Sequence, residues 1–369
     1  MSEPRFDLAP DSETARPPDP YRPSRRSRTL LAAAFLGMAL AAILALIPLP
    51  YAVLRPGPAI NTLGTGEDGR PLVEVSGAPS YPAKGALDFT TVSVQGGPGA
   101  RVSVWDLLGA WLSPHDDVYD EEAFFPKGVT KDEVKDENTA EMTGSQEAAV
   151  AVALRSLGKT VTERYAVAQV ADTAPARSVL KSGDRILAVD GTTISALADI
   201  RRLVQAHSAG NEITLTIERA GARRDVTTRT TDVGGRVALG IVLTTDYDFP
   251  FAVTINAGDV GGPSAGLMFT LAVRDVLTTG DLTGGKRIAG TGTIDDSGAV
   301  GPIGGIRQKV VGAKSSGADY FLAPAQNCAD LSGHTPDGIR VVKVQAFTDA
   351  LGAVEAIAAG RTDSLPTCG

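Results

Sequence analysis

From Leu30 to Ile47 the chain carries no charged residue, and the uncharged run continues to Leu54. A helix needs about 20 such residues to cross a hydrocarbon core, so this stretch is long enough to span one. Arg22, Arg25, Arg26 and Arg28 cluster just before it and few bases follow. That asymmetry puts the N-terminus in the cytoplasm and the rest of the chain outside it. A cleaved signal peptide is the rival reading. The apolar run is long for one, and no clean Ala-x-Ala site follows it. The expectation is an uncleaved, single-pass anchor over residues 29–54, at the cell membrane. Residues 1–28 are rich in Pro, Arg and acids; they cannot bury a core and read as a disordered cytoplasmic tail.

The formal net charge of −8 argues against nucleic-acid binding. There are only two cysteines, Cys328 and Cys368. In an oxidising compartment they could tie the C-terminal tail to the domain, or they are two unrelated thiols; spacing does not decide this.

The candidate chemistry lies between Gly261 and Lys309. Gly261-Gly262-Pro263 crowd a turn before Ser264, and Leu267–Val273 follow as an apolar run with helical spacing. Ser264 therefore sits at or next to a helix N-terminus, where free N–H groups and the positive end of the dipole favour a developing oxyanion. A serine hydroxyl needs a base to become a nucleophile. The plain alternative is an N-cap serine in a glycine loop. If residues 305–316 are helical, Ile306, Val310 and Ala313 share one face and Lys309 lies at its edge. A lysine there loses hydration, its pKa falls, and it can act as a base. The plain alternative is a lysine that snorkels to water.

The chain resembles Lon-type serine proteases in Gly262-Pro263-Ser264-Ala265-Gly266, in Thr291-Gly292, and in Pro302-Ile303-Gly304-Gly305-Ile306-Arg307-Gln308-Lys309. The resemblance implies a Ser–Lys dyad, with Ser264 as nucleophile, Lys309 as base and Thr291 positioning the lysine, while Gly262 and Pro263 shape the turn. Two positions depart from the family pattern: Gly261 stands where an acidic residue is usual, and Thr293 where a glutamate is usual. No cofactor is implied.

Around that stretch, Leu72–Val75 and Leu87–Val94 read as a pair of strands, followed by a short helix near 104–112. The acidic segment 115–141 reads as a solvated loop or helix rather than a metal site, since its spacing matches no ligand pattern. Thr143-Gly144-Ser145-Gln146 reads as a capping box opening a buried helix that stops near Gly158. Val237–Val242 and Phe251–Asn256 read as strands leading to Ser264, and Tyr320–Leu322, Val341–Val344 and a helix over 349–359 complete the chain.

Residues 162–232 resemble a PDZ domain, through Gly183-Asp184-Arg185-Ile186-Leu187-Ala188-Val189-Asp190-Gly191, a helix over 198–207 and a strand over 212–217. By that resemblance a peptide would add a strand beside Tyr165–Val170 and pack against the helix, with Tyr165, Val167, Ile200 and Leu203 at the groove. A PDZ fold used only as a spacer is the other reading. Residues 70–158 resemble the first part of a Lon proteolytic domain and 236–362 the second. The fold class expected is α+β: a Lon-type proteolytic domain interrupted by a PDZ domain and preceded by one transmembrane helix. Gly280–Arg287 has the Gly-x4-Gly-Lys part of a P-loop but ends in Arg and follows a helix, so it reads as a turn. Proteolysis is then expected to run without ATP, on protein or peptide substrates, with a homo-oligomer left open.

Two other functions compete. Gly262–Gly266 also satisfies the nucleophile-elbow pattern of α/β-hydrolases. That fold needs a later histidine, and the only one is His334, in the turn Ser332–Pro336. The third reading is a non-catalytic, membrane-anchored PDZ scaffold.

Overall fold

The computed structural model of the protein describes residues 24–66 and 69–368; residues 1–23, most of the expected N-terminal tail, lie outside them. Helix α1 is Arg25–Leu46, with the Ser24 hydroxyl capping its first turn and none of its residues buried. The expected span of 29–54 is corrected at both ends. The helix opens among the arginines, and Pro48 and Pro50 stop it. Ala52, Val53 and Leu54 belong to strand β1 (Tyr51–Asn61) and are buried in protein.

After β2 (Val73–Ser76) and β3 (Ala86–Gln95) comes helix α2 (Val104–Leu112), opened by a reciprocal capping box between Ser103 and Asp106. The short strand β4 is Asp117–Asp120. Helix α3 runs from Lys131 to Ser156, well before the expected start. Its box is Thr130 with Glu133: the Thr130 N–H donates to Glu133 at 2.8 Å and the Glu133 N–H donates to Thr130 Oγ1 at 3.2 Å. Thr143 instead bonds back to the Thr139 carbonyl inside the helix. The acidic half of α3 is exposed, and Ala148–Leu154 are buried as the sequence suggested.

The next segment is β5 (Thr162–Val170), β6 (Arg185–Val189), β7 (Thr192–Thr193), α4 (Leu197–Gln205), β8 (Glu212–Arg219), β9 (Ala222–Arg229), β10 (Thr231–Val233), β11 (Arg236–Ala238) and β12 (Ile241–Asp248). One sheet has the order β12-β5-β6-β8-β9, with β7 against β6. Its core gathers Tyr165, Val167, Ile186, Ile200, Leu215 and Ile217. The expected strand over 237–242 is broken at Gly240, whose φ of 68 splits it between β11 and β12.

The chain then returns through β13 (Ala252–Ile255), α5 (Gly266–Val276), β14 (Arg287–Gly290), β15 (Thr293–Ile294), β16 (Val300–Gly301), α6 (Ile306–Ser315), β17 (Tyr320–Pro324), β18 (Arg340–Val344) and α7 (Phe347–Ala358). The second large sheet, in the order β18-β17-β14-β3-β1-β4, joins strands from both sides of the intervening segment. Strand β14 pairs parallel with β3 and with β17. The expected pairing of 72–75 with 87–94 does not occur. Strand β2 pairs with β13, and β3 pairs with β1 along its other edge. The unforeseen partner, β1, carries Pro56 and Pro58, and its register shifts between Pro56 and Ala59, as strand prolines require. Leu87 and Phe89 of β3, Ala149 and Leu154 of α3, and Leu267, Phe269 and Leu271 of α5 share one core. Helix α6 approaches β1 so closely that a Cβ on Gly312 would lie 2.5 Å from the Gly57 carbonyl oxygen.

Candidate active site

Ser264 stands two residues before α5 in a turn made by the residues ahead of it. Gly262 has a φ of 83, a conformation glycine adopts freely. Its N–H donates to the Asn138 carbonyl of α3 at 3.1 Å, and the Pro263 carbonyl accepts the Ser145 hydroxyl at 2.9 Å. Helix α3 thus fixes the turn from the far side. It also accounts for the departure at 261, where a Cβ would lie 2.8 Å from Asn138 Cβ, leaving no room for an acidic side chain.

The second wall is the segment that leaves β14. The Ser264 carbonyl accepts the Gly292 N–H at 2.8 Å and the Thr291 hydroxyl at 2.9 Å. Because that hydroxyl proton is committed to Ser264, the Thr291 oxygen keeps a lone pair for another donor. The donor is Lys309, whose Nζ donates to Thr291 Oγ1 at 3.1 Å and to Ser264 Oγ at 2.6 Å. Three elements distant in sequence, the α5 turn, the end of β14 and the middle of α6, therefore meet at one ammonium group.

Lys309 is 2% exposed. Burial alone pulls its pKa down to about 7, because losing water penalises the charged form. A lysine that is half neutral near pH 7, in hydrogen-bond contact with a serine hydroxyl, can take that hydroxyl's proton. Beside it, the Gln308 amide donates to the His115 carbonyl at 3.1 Å and to Asp117 at 2.9 Å, holding this turn of α6 against the start of β4.

The histidine required by the hydrolase alternative is elsewhere. His334 is exposed in a turn, with Nδ1 2.7 Å from the Ser332 carbonyl oxygen. Residues 282–285 form a turn, as expected for the P-loop near-miss.

The expected peptide edge needs correction. Strand β5 has no free edge: β6 lies on one side and β12 on the other, paired from Thr162↔Asp248 to Val170↔Ile241. Tyr165, Val167 and Ile200 are core residues, with Leu203 packed against them. The edge strand on that side is β12, which enters from the Gly240 turn. Spacing alone hid this, because β12 lies beyond the stretch read as the PDZ unit.

Sequence reasoning also missed the link between the two sheets. The Arg155 guanidinium at the end of α3 pairs with Glu163 of β5 and donates to the Asp296 carbonyl at 3.0 Å. The Tyr247 hydroxyl of β12 donates to the Asp296 carboxylate. Asp296 sits in the β15–β16 hairpin, which follows Thr291 and Gly292 directly. Nothing in the spacing of these residues announces their meeting.

Residues 249–358 match the Lon protease (S16) C-terminal proteolytic domain. Residues 130–230 match the PDZ domain family. That second match begins at Thr130, the cap of α3, so it takes in a helix whose buried half packs in the core around α5, and it ends before β12. The Lon protease of Phenylobacterium zucineum is 36% identical over 119 residues, which cover 31% of this chain and 15% of that protein. Lon protease 1 of Herpetosiphon aurantiacus is 39% identical over 85 residues, 23% of this chain and 10% of that one. The matched part is thus a small fraction of these relatives' length. Among solved structures, the PDZ domain of an SdrC-like protein from Listeria monocytogenes is 23% identical, covering 21% of this chain and 85% of that one, with a TM-score of 0.21. A Lon-type proteolytic domain and a PDZ domain are both found here, and the proteolytic match supports a serine endopeptidase.

Proposed function

We propose that this chain is a membrane-anchored serine endopeptidase that hydrolyses peptide bonds through a Ser264–Lys309 dyad, without ATP. The observation that carries this reading is the 2.6 Å contact between Ser264 Oγ and the Nζ of a lysine buried away from water. Neutral Lys309 removes the hydroxyl proton as Ser264 Oγ attacks the substrate carbonyl carbon. The resulting oxyanion develops beside the N-terminal end of α5. The protonated lysine then returns its proton to the leaving amine, and water repeats the sequence on the acyl-enzyme. Thr291 keeps Nζ aimed at Oγ.

In this reading the PDZ unit is inserted within the proteolytic domain, since the sheet containing β14 takes strands from both flanks. A substrate segment adds to the outer edge of β12, not to β5. Helix α1 crosses the membrane with its arginines on the cytoplasmic side. The Cys328–Cys368 disulfide, whose Cα atoms are 4.9 Å apart, agrees with an oxidising compartment for the body.

The test is hydrolysis of a fluorogenic peptide by the full chain. Ser264→Ala abolishes it with the fold intact by circular dichroism; undiminished turnover in that variant would remove the serine from the mechanism.

A further inference from the structure

We propose that helix α2 lies in the lipid–water interface and seats the soluble body on the bilayer that α1 crosses. This rests on the anchor reading of α1 given above.

Helix α2 has the sequence VWDLLGAWL, with one charged residue. That residue, Asp106, is spent on the helix cap: its carboxylate accepts the Ser103 N–H at 2.9 Å and the Ser103 hydroxyl at 2.6 Å. The inner face, through Ala110 and Leu107, packs with Val53 and Val102. The outer face is equally apolar. Trp105 is 46% exposed, Leu108 44%, Trp111 80% and Leu112 71%. Single exposed apolar residues are ordinary, but two tryptophans and two leucines together on one short helix form a patch that water does not favour.

The surroundings identify what covers it. The Trp105 indole N–H donates to the Ala41 carbonyl of α1 at 3.1 Å. Ala41 lies five residues before Leu46, where α1 ends. At about 1.5 Å per residue, the contact sits roughly 7–8 Å inside the outer end of the apolar helix. Amphipathic interfacial helices bury their apolar face by about 5–10 Å. The backbone keeps this placement, because Leu49 pairs with Val102, just ahead of the α2 cap. Tryptophan is enriched at the headgroup level, where its ring is apolar and its N–H finds a polar partner.

The chain's two tryptophans both lie on α2, so its intrinsic fluorescence reads this helix alone. The full chain is reconstituted into phosphatidylcholine vesicles, with or without lipids brominated near the top of their acyl chains. Flotation with the vesicles reports on α1. Trp105→Phe isolates the emission of Trp111. The expected result is flotation, blue-shifted Trp111 emission, quenching by about twofold or more with the brominated lipid, and protection from aqueous iodide. Flotation with Trp111 open to iodide and untouched by bromine overturns the seating of α2 and leaves the anchor standing. Flotation with Trp111 shielded from iodide yet unquenched by bromine also overturns it, in favour of a protein covering the helix. Failure to float overturns the anchor and the seating together.

Discussion

Asp184 and Lys309 are both buried almost completely, and they are treated in opposite ways. Asp184, between β5 and β6, is 1% exposed and is answered on every side. Arg219 donates to both of its oxygens, at 2.6 and 2.5 Å, and the Lys181 N–H donates at 2.7 Å. Burial pushes its pKa up, but the Arg219 hydrogen bond, the Lys181 N–H and the Arg219 charge bring it below its ordinary value. Lys309 receives only two hydroxyl oxygens and no countercharge, and burial pulls its pKa down. A paired charge is a structural element that stays ionised. An unpaired one is held at the edge of neutrality, and such positions are where proton-transfer chemistry concentrates.

The largest effects are expected at the unpaired group. Lys309→Ala should lower peptide hydrolysis by about a thousandfold or more, and Lys309→Arg should not restore it, since a guanidinium cannot accept the proton. In the unmodified chain, activity should rise with pH through about 7 as Lys309 loses its proton. The sign for stability follows from linkage. With the folded pKa lowered, the unfolded chain binds more protons between about 7 and 10.5, so the lysine's destabilisation eases as pH rises through that window. Lys309→Met should therefore raise the melting temperature at pH 7 while removing activity, a gain of about 1–3 kcal/mol. A lysine whose loss destabilised the fold would belong with Asp184 instead.

The paired group should behave in the reverse sense. Arg219→Ala leaves Asp184 buried without its countercharge and should clearly lower the melting temperature. Thermal unfolding at neutral pH measures it. Hydrolysis of a small peptide at a temperature where the variant is folded should change little, because the pair lies in the sheet that does not carry Ser264. Loss of peptidase activity with stability unchanged would dissolve the contrast between the two burials.

How much of this was readable beforehand differs between the two regions for a physical reason. Ser264, Thr291 and Lys309 lie in glycine-rich turns and on an apolar helix whose local patterns are strong, so the helices over 266–276 and 306–315 followed from spacing. What supports them did not. Ser145 and Asn138 reach the turn from α3, more than a hundred residues earlier, and neither sits in a pattern that predicts a long-range contact. The start of α3 was legible in Thr130-x-x-Glu133, but the acidic run between the two Thr-x-x-Glu/Gln motifs drew the boundary to the later one. The edge of the other sheet was hidden more deeply. Periodicity marks β5 as a strand but does not say which neighbour takes its second edge, and only the assembled sheet assigns it to β12.

A smaller effect tests how Lys309 is held. Thr291→Val removes the acceptor at 3.1 Å and one of the two donors to the Ser264 carbonyl. The rate should fall about tenfold, the worth of one hydrogen bond in a buried site. The acid limb of the pH profile should also move to lower pH, because the lost acceptor favoured the charged amine. Thr291→Ser should restore both. A slower enzyme with an unmoved pH midpoint would make Thr291 a packing residue only.

The smallest effect is expected at His334, and it carries its own weight. This is the only histidine after Ser264, so an α/β-hydrolase triad, whose histidine follows its nucleophile, must use it. Its ring is exposed and engaged with the Ser332 carbonyl, while Ser264 Oγ is already bonded to Lys309. His334→Ala should leave kcat/KM within about twofold and stability within about 0.5 kcal/mol, as for an ordinary surface substitution. Measured beside Lys309→Ala under the same conditions, the ratio of the two losses separates the mechanisms. A large ratio in favour of the lysine keeps the dyad. A loss at His334 comparable to that at Lys309 would mean that the exposed turn moves onto Ser264 during turnover, and the unpaired burial of Lys309 would then need another explanation.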